Sequence, residues 1–393
     1  MNSTTVIEDI ASRLETVLGK PKSSSSIPLH EPEFQGNEWK YVKECLDTGW
    51  VSSVGSYVDR FEKDLERFTG AKKAVAVVNG TAALHLALKL VGVEKGDEVF
   101  VPAFTFIATA NAVSYLNAVP HFIDIDSLNL GLSPVLLQEY LKKNFSIKDG
   151  YCFNSKTQRR VRALVVMHTF GHVSDVDSLR KVCDEYNIAL VEDAAEALGS
   201  YSRGRHAGTM SDIGVLSFNG NKIVTTGGGG ALLFNDEKLG LQAKHLSTTA
   251  KIPHPWIFEH DQVGYNYRLP NINAALGCAQ LERLPSFLER KRALADSFEK
   301  SFKGSPSAQV FREPSNTQSN YWLNAIILES SKIRNEVIEG LVKKGFGVRP
   351  AWTLLHKLKM YKDCPRMDLR QSEELEQRLI NLPSSPKLAA SND

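Results

Sequence analysis

The chain of 393 residues lacks several features that would place it in a specialised class of protein. Its five cysteines form no Cys-x-x-Cys pair and are odd in number, which favours reduced thiols over a disulfide framework. The formal net charge of +2 gives no electrostatic bias toward nucleic acid. No apolar run approaches the roughly 20 residues that span a bilayer, and the N-terminus shows no basic region followed by an apolar core. These absences predict a cytoplasmic protein that binds neither nucleic acid nor membranes.

A metal site is also not expected. His168 and His172 have the four-residue spacing that can bind zinc on a helix. Gly171 and the apolar run before His168 argue against a helix there. We therefore predict that no metal is bound, and that His168 either lines a substrate pocket or has a structural role.

Short apolar segments alternate with helical stretches over most of the chain, and this alternation predicts an α/β fold. Such a pattern is typical of a mostly parallel sheet that helices cover on both faces. Residues 143–160 are polar and irregular, so we expect a surface insertion there. The predicted strands are residues 74–78, 98–101, 121–125, 163–167, 188–191 and 215–218.

The two ends of the chain depart from this pattern. Apolar residues at helical spacing predict an amphipathic helix over residues 4–18. From Asn273 the pattern becomes helical and then contains one strand and one helix, which suits a separate domain. The predicted division is an N-terminal helix and linker over 1–27, a large domain over 28–272 and a small domain over 273–393.

One lysine stands between an apolar strand and a glycine-rich turn. Lys222 follows the predicted strand 215–218 and precedes the four glycines 227–230. Backbone can approach a ligand closely at such a turn, and partial removal from water would favour the neutral amine. Alone, this lysine would ordinarily be a surface residue and the turn a hairpin. The position nevertheless fits a lysine that holds an aldehyde cofactor as a Schiff base.

Two further strand ends offer the other groups that such a cofactor needs. Asp193 ends an apolar strand, where a carboxylate can keep the pyridine nitrogen of pyridoxal phosphate protonated. Gly80 and Thr81 lie between a strand and a helix opening, whose free amides and positive dipole end suit a phosphate. Asp193 alone could be a helix N-cap. Its occurrence together with Lys222 and Gly80-Thr81 favours a cofactor site.

These motifs, in this order, resemble those of the DegT/DnrJ/EryC1/StrS family of pyridoxal-phosphate sugar aminotransferases. The resemblance runs from Ile27 to Pro383 and includes Thr48-Gly49-Trp50, Pro102-Ala103-Phe104-Thr105-Phe106 and Gly264-Tyr265-Asn266-Tyr267-Arg268. It implies the type I, aspartate aminotransferase-like fold, with a large domain built on a mostly parallel sheet and a smaller C-terminal α+β domain. It also implies a homodimer with shared active sites.

The resemblance assigns roles to individual residues. Lys222 would carry the cofactor, Asp193 would pair with its pyridine nitrogen, and both would be catalytic. Asn266 would reach the phosphate of the neighbouring subunit's cofactor. Glu196 stands where many members have a glutamine near the cofactor's phenolic oxygen. The other implied contacts are Gly80, Thr81 and Ser217 at the phosphate, Phe106 on the ring face, and Trp50, His168, Trp352 and His356 at the substrate.

The implied reaction moves an amino group from L-glutamate to a ketone on a nucleotide sugar. The N-terminal leader and residues 27–32, 50–55 and 217–230 look most like aminotransferases of the bacillosamine and legionaminic-acid pathways. Those act at C4 of UDP-2-acetamido-2,6-dideoxy-4-keto-hexose and give UDP-4-amino-4,6-dideoxy-N-acetylglucosamine for bacterial surface glycans.

Three alternatives remain open at this point. Residues 192–197 also resemble GDP-perosamine synthases, which act on GDP-linked 4-keto-6-deoxymannose, and a dTDP-linked sugar fits the family equally. A sensor or regulator that keeps the same fold is the non-enzymatic alternative. The presence of both Lys222 and Asp193 disfavours that last interpretation.

Overall fold

The computed structural model describes residues 2–22 and 26–389, and strands alternate with helices through most of them. The predicted strands of the large domain are confirmed, with small shifts at their ends. In chain order the strands are β1 Lys73–Val77, β2 Glu98–Pro102, β3 Val119–Ile123, β4 Phe145–Lys148, β5 Tyr151–Asn154, β6 Arg160–Met167, β7 Ala189–Asp193, β8 Tyr201–Ser202, β9 Arg205–His206, β10 Ile213–Ser217, β11 Gly230–Phe234, β12 Ala308–Val310, β13 Thr317–Gln318, β14 Asn324–Leu328, β15 Arg349–Pro350 and β16 Leu379–Leu382.

The helices lie between these strands and at both ends of the chain. Among those described, none combines the length and the apolar character that crossing a lipid bilayer requires. In chain order they are α1 Ser3–Leu18, α2 Glu38–Thr48, α3 Ser56–Thr69, α4 Gly80–Leu90, α5 Ile107–Tyr115, α6 Pro134–Asn144, α7 Val176–Glu185, α8 Glu237–Ser247, α9 Asn271–Phe302, α10 Arg334–Lys343 and α11 Arg370–Glu376, with 3-10 turns at Thr169–Gly171, Leu355–Lys357 and Pro386–Leu388.

The main sheet contains nine strands within the described residues. Seven lie side by side in the order β1-β11-β10-β7-β6-β2-β3, and β4 and β5 continue from β6. The strands from β10 to β3 pair in parallel, whereas β11 runs antiparallel to β1 and β10. The carboxyl ends of β1, β2, β6, β7 and β10 therefore meet at one edge. The predicted mostly parallel α/β sheet is confirmed.

Helices cover both faces because successive side chains of each strand point to opposite sides. Val99 and Val101 of β2 pack in one core with residues of α4, α5 and α8. Phe100, between them, packs in another core with residues of α6 and α7. Ala74 and Ala76 of β1 join α3 and the first half of α9 on that second side. A sheet buried on both faces explains why its strands are almost entirely apolar.

The prediction of an irregular surface insertion at residues 143–160 is wrong. Strands β4 and β5 form an antiparallel hairpin, and β5 extends the main sheet beside β6. Asp149 and Gly150 make the turn with φ of 50° and 78°, the backbone that an Asp-Gly hairpin turn requires. Phe145 and Cys152 are buried. The many polar residues obscured the short alternation, whereas the Asp-Gly pair was the usable signal.

The two ends of the chain pack on each other. The predicted N-terminal helix is confirmed as α1, whose buried Ile10 and Leu14 join Phe298 and Ile326 in a core beside the antiparallel sheet β12-β14-β16-β15. Helix α9 continues from this core into the core under the main sheet. The predicted domain boundary at residue 272 falls in the first turn of α9, and the division into domains stays a prediction. Residues 23–25 of the predicted linker lie outside the described residues.

Candidate active site

A cavity of about 300 Å³ opens at the edge where the parallel strands end. Its walls come from the segments that follow β1, β2, β7 and β10, together with two tryptophans from the C-terminal part. Ligands of open α/β sheets bind at this kind of edge. The cavity brings together most of the cofactor-binding residues predicted from the sequence, namely Gly80, Thr81, Phe106, Asp193, Glu196, Ser217 and Lys222.

The start of α4 forms one end of the cavity. Asn79 caps this helix, and its side chain accepts a hydrogen bond from the Ala82 amide at 2.8 Å. Gly80 lies against Ser217, because a Cβ at position 80 would come within 3.0 Å of the Ser217 Cβ. Gly80 and Thr81 line the cavity at the start of α4, the positive end of a helix dipole, where an anionic group such as a phosphate fits.

Asp193 ends β7 and is almost completely buried. Its Oδ2 accepts a hydrogen bond from the Thr109 hydroxyl at 2.8 Å, and its Oδ1 accepts one from the Ala195 amide at 3.2 Å. Burial raises the pKa of this carboxyl despite these bonds and the nearby charge of Lys222. A buried carboxylate with acceptor capacity left over fits a cationic partner such as a protonated pyridine nitrogen.

The amine of Lys222 is held between an acid and an aromatic ring. Its Nζ lies 3.2 Å from Glu196 Oε1 and 3.9 Å from the centre of the Trp322 ring, and the side chain is 14% exposed. The Trp322 indole is fixed in turn, because its Nε1 donates to the Asn221 carbonyl at 2.8 Å. The sequence argument considered only removal from water. The structure adds a close carboxylate and an aromatic ring to the surroundings of this amine.

Glu196 is almost completely buried beside Lys222. Its Oε2 accepts a hydrogen bond from the Phe170 amide at 2.9 Å, which fixes the carboxyl plane. Burial raises the pKa of Glu196, although the charge of Lys222 and the Phe170 amide oppose this effect. Glu196, for which the resemblance implies a glutamine in many family members, is thus an acid in direct contact with Lys222.

Two of the four predicted substrate residues lie away from this cavity, in the interior. His168 is buried, where its Nδ1 accepts from the Ser174 amide and its Nε2 donates to Glu192 at 3.0 Å. His356 lies with its Nε2 3.1 Å from Glu373. Neither ring contributes to the cavity lining, and their substrate roles stay predictions. Among the described residues, no group of three or more His, Cys, Asp and Glu side chains is arranged to hold a metal ion.

The other predicted residues lie at the cavity mouth or on the surface. Phe106 is 50% exposed at the start of α5, with its ring 6.3 Å from that of Trp352, which also lines the cavity. Trp50 is 59% exposed and lies outside the lining. Asn266 is exposed as well, and its Oδ1 accepts hydrogen bonds from the Arg268 guanidinium. A single chain therefore does not bring Trp50 or Asn266 to its own cavity.

Sequence reasoning missed three residues of this site. Thr109 donates to Asp193, Trp322 covers the Lys222 amine, and Asn221 holds the Trp322 ring. Trp322 lies two residues before β14, and nothing local marks it as a cavity residue. Asn221 is next to Lys222 and lines the same cavity, so proximity in sequence could have identified it.

The strand-end cavity, with a lysine, a buried aspartate and an anion cradle, defines a type I pyridoxal-phosphate-dependent transferase. A model of the DegT/DnrJ/EryC1/StrS aminotransferase family matches residues 32–392, and the chain belongs to this family. It is 37% identical over 365 residues to a GDP-perosamine synthase of Vibrio cholerae, with 92% of this chain and 95% of that protein covered.

Further relatives agree with this assignment. A GDP-perosamine synthase of Escherichia coli O157:H7 is 36% identical, with 92% of this chain and 94% of that protein covered. The crystal structure of the aminotransferase TlmJ from Streptoalloteichus hindustanus superposes with a TM-score of 0.84 at 28% identity, covering 94% of this chain and 96% of that one. The protein is thus an aminotransferase of nucleotide sugars, with pyridoxal phosphate as its cofactor.

Proposed function

We propose that this enzyme transfers an amino group from L-glutamate to C4 of a GDP-linked 4-keto-6-deoxyhexose. The chemistry rests on the cavity that joins Lys222, Asp193 and the start of α4. The choice of nucleotide rests on the two relatives named GDP-perosamine synthase, which this chain matches over nearly their whole length. The UDP-linked N-acetyl sugar, expected first from the sequence, has no comparable support among these relatives.

Each residue of the cavity has a separate task in this proposal. Pyridoxal phosphate, when bound, withdraws electrons from the carbon that carries the amino group. Lys222 would hold the cofactor through its amine. When free, it would take a proton from that carbon and return it to the neighbouring carbon of the cofactor. Asp193 would keep the positive charge on the ring nitrogen. The Gly80 and Thr81 amides and the Ser217 hydroxyl would hold the phosphate.

The aromatic side chains at the mouth suit the sugar nucleotide. Phe106 and Trp352 present partly exposed rings beside the cavity. Phe106 would cover one face of the cofactor, and Trp352 would contact the sugar or its nucleotide. Aromatic walls with a few polar groups are typical of small-molecule sites.

The proposal includes a homodimer in which Asn266 reaches the neighbouring subunit's cofactor phosphate. Its support is the position of Asn266 on an exposed segment that does not line the chain's own cavity. Trp50 is exposed in the same way and would also contact the neighbouring subunit or its substrate. A cytoplasmic location stays a prediction from the sequence.

The test supplies the purified enzyme with L-glutamate and, separately, GDP-linked 4-keto-6-deoxymannose, UDP-2-acetamido-2,6-dideoxy-4-keto-hexose and a dTDP-linked 4-keto-6-deoxy sugar. Products are identified by mass, and kcat/KM is measured for each acceptor. We expect the amino sugar to form with the highest kcat/KM from the GDP-linked substrate. A preference for the UDP-linked sugar would contradict this proposal and support the substrate first expected from the sequence.

The control is a Lys222→Ala variant whose folding is checked by circular dichroism. It should form no amino sugar from any of the three acceptors, because the proton transfers lose their base. Full amination by this variant would overturn the catalytic assignment for all three substrates. In that case the non-enzymatic alternative, a sensor or regulator with the same fold, would come forward.

A further inference from the structure

The carboxylate of Glu196 lies in direct contact with the amine of Lys222. Oε1 lies 3.2 Å from Nζ, within hydrogen-bond distance. Oε2 is tied to the Phe170 amide at 2.9 Å, so the carboxyl cannot turn away without losing that bond. Only 3% of Glu196 is exposed, so water screens the contact poorly.

The other charged and titratable groups around the amine act differently. The Asp193 carboxylate also attracts the Lys222 charge, but the carboxylate in contact with the amine, at 3.2 Å, is that of Glu196. His30 is the nearby imidazole, and burial lowers its pKa well below the ordinary value, so it is neutral at physiological pH. Lys291 lies close to His30 and donates to two backbone carbonyls. Glu196 is therefore the group that pairs with Lys222.

The aromatic ring beside the amine also favours a positively charged lysine. The Trp322 ring lies 3.9 Å from Nζ, at a distance where a cation is attracted by the ring face. Both the ion pair and the cation–π contact stabilise an ammonium and lose most of their strength when the lysine is neutral. An ammonium can donate a proton but cannot attack an aldehyde.

We propose that Glu196 is the counter-ion that stabilises the ammonium form of the free Lys222, and that it thereby raises the pH at which this lysine becomes a nucleophile. The inference rests on the proposed role of Lys222. It gives Glu196 a function that the more frequent glutamine cannot have, because a neutral amide does not balance an ammonium. During the reaction the released, neutral lysine would take the proton from the substrate carbon, and Glu196 would stabilise the resulting ammonium until the lysine returns that proton.

A purely structural role for Glu196 is the competing explanation. The carboxyl also supports the turn at Phe170, and the Glu196 carbonyl accepts from the Asn320 side chain at 2.9 Å. Two variants separate the roles. Glu196→Gln keeps an acceptor for the Phe170 amide but removes the charge, whereas Glu196→Asp keeps the charge on a shorter side chain.

The experiment measures covalent attachment of an aldehyde to Lys222 in cofactor-free protein, so it does not depend on turnover. Attachment rates are followed from about pH 6 to about pH 10, the range in which a lysine loses its proton. Adducts are reduced with borohydride and located by peptide mass. Two aldehydes are used: pyridoxal phosphate, and pyridine-4-carbaldehyde, which has neither the phosphate nor the phenolic oxygen.

In Glu196→Gln the midpoint of the attachment profile should fall by about one pH unit or more with both aldehydes, the effect expected when an opposite charge at this distance is removed. In Glu196→Asp it should stay near the wild-type midpoint. An unchanged or higher midpoint in Glu196→Gln would overturn the inference. A shift with pyridoxal phosphate alone would also overturn it, because Glu196 would then act on the phenolic oxygen. No attachment to wild-type Lys222 at any pH would instead contradict the proposed function.

Discussion

Two neighbouring acids at the end of β7 have opposite surroundings. Glu192 faces the core side of the sheet, where its carboxylate accepts hydrogen bonds from His168 and from the Gly208 and Met210 amides, each at 2.8 to 3.0 Å. Burial alone would raise the pKa of Glu192, but these three donors lower it below the ordinary value. Asp193 faces the cavity with two donors, and burial raises its pKa.

The difference shows how one strand end can serve structure on one face and chemistry on the other. A carboxylate has about four acceptor sites, and a buried one is stable when protein donors fill them. The donors around Glu192 come from the protein itself, so that acid holds the loop after β9 in place. Asp193 is left with capacity for a partner from outside the chain, which the cofactor's ring nitrogen would supply.

The largest expected effect comes from Asp193→Asn. Loss of the charge that balances the ring nitrogen should lower kcat by at least about a hundredfold, the scale seen when one preorganised electrostatic group is removed. Initial rates with L-glutamate and the GDP-linked sugar measure it. Glu192→Gln, assayed under conditions where it is folded, is the matched control and should retain kcat within a few-fold. An equal loss of kcat in both variants would contradict the proposal that Asp193 serves the chemistry and Glu192 the structure.

The same pair should differ in stability, with the larger cost at Glu192. In Glu192→Gln a single acceptor oxygen cannot serve all three donors, so we expect a loss of about 1 to 3 kcal/mol in the free energy of unfolding. Because the folded-state pKa of Glu192 is lowered, its stabilisation is present above the unfolded-state pKa and is lost as the pH falls through the folded-state value. Urea unfolding of cofactor-free protein at neutral and acidic pH measures this.

Asp193→Asn should respond to pH in the opposite way. A raised folded-state pKa means that the wild-type acid destabilises the fold as the pH rises above its unfolded-state pKa. The variant should therefore gain stability relative to wild type between acidic and neutral pH. If Asp193→Asn were less stable than wild type at neutral pH, the claim of unmet acceptor capacity would be wrong.

Sequence reasoning identified the residues on the cavity side of β7 but missed the hydrogen bonds that surround Glu192. Lys222, Asp193 and Gly80-Thr81 follow apolar strands, and parallel strands bring their carboxyl ends to one edge, so local patterns were sufficient. The donors to Glu192 come from a histidine 24 residues earlier and from amides of the loop after β9. Such contacts depend on how loops fold back, which no periodicity encodes. Trp322 was not predicted as a site residue for the same reason, since it contacts Lys222 from a segment distant in sequence.

Lys291 extends the comparison to a buried base. It is completely buried on α9, and its Nζ donates to the carbonyls of Trp322 at 3.2 Å and Ser384 at 2.5 Å. Burial lowers its pKa well below the ordinary value, so the unfolded chain binds more protons between the two pKa values. Stability should rise with pH in that range, by up to about 1.4 kcal/mol per pH unit. Lys291→Met should remove this rise, as melting temperatures from about pH 7 to about pH 10 would reveal.

A matched variant separates this effect from lost packing. Lys291→Arg keeps a permanent positive charge in the buried site, so it should be less stable than Lys291→Met and show no rise with pH. A wild-type profile that is flat over the same range would mean that the Lys291 amine stays charged in the fold. It would then resemble Glu192, a charge fully balanced by its hydrogen bonds, rather than Asp193.

The smallest expected effect concerns Asn266, which tests whether the cavity is completed by a second chain. Loss of one hydrogen bond to the phosphate should weaken cofactor binding about three- to tenfold in Asn266→Ala, with no change in unfolding. Mixing this variant with Lys222→Ala subunits supplies the decisive arrangement. In a hybrid dimer the Asn266→Ala subunit keeps Lys222 and receives a native Asn266 from its neighbour, so one site should regain wild-type cofactor affinity. No recovery in the hybrids would mean that Asn266 does not contact the neighbouring subunit's cofactor. Gly80, Thr81 and Ser217 of the same chain would then supply the hydrogen-bond donors to the phosphate.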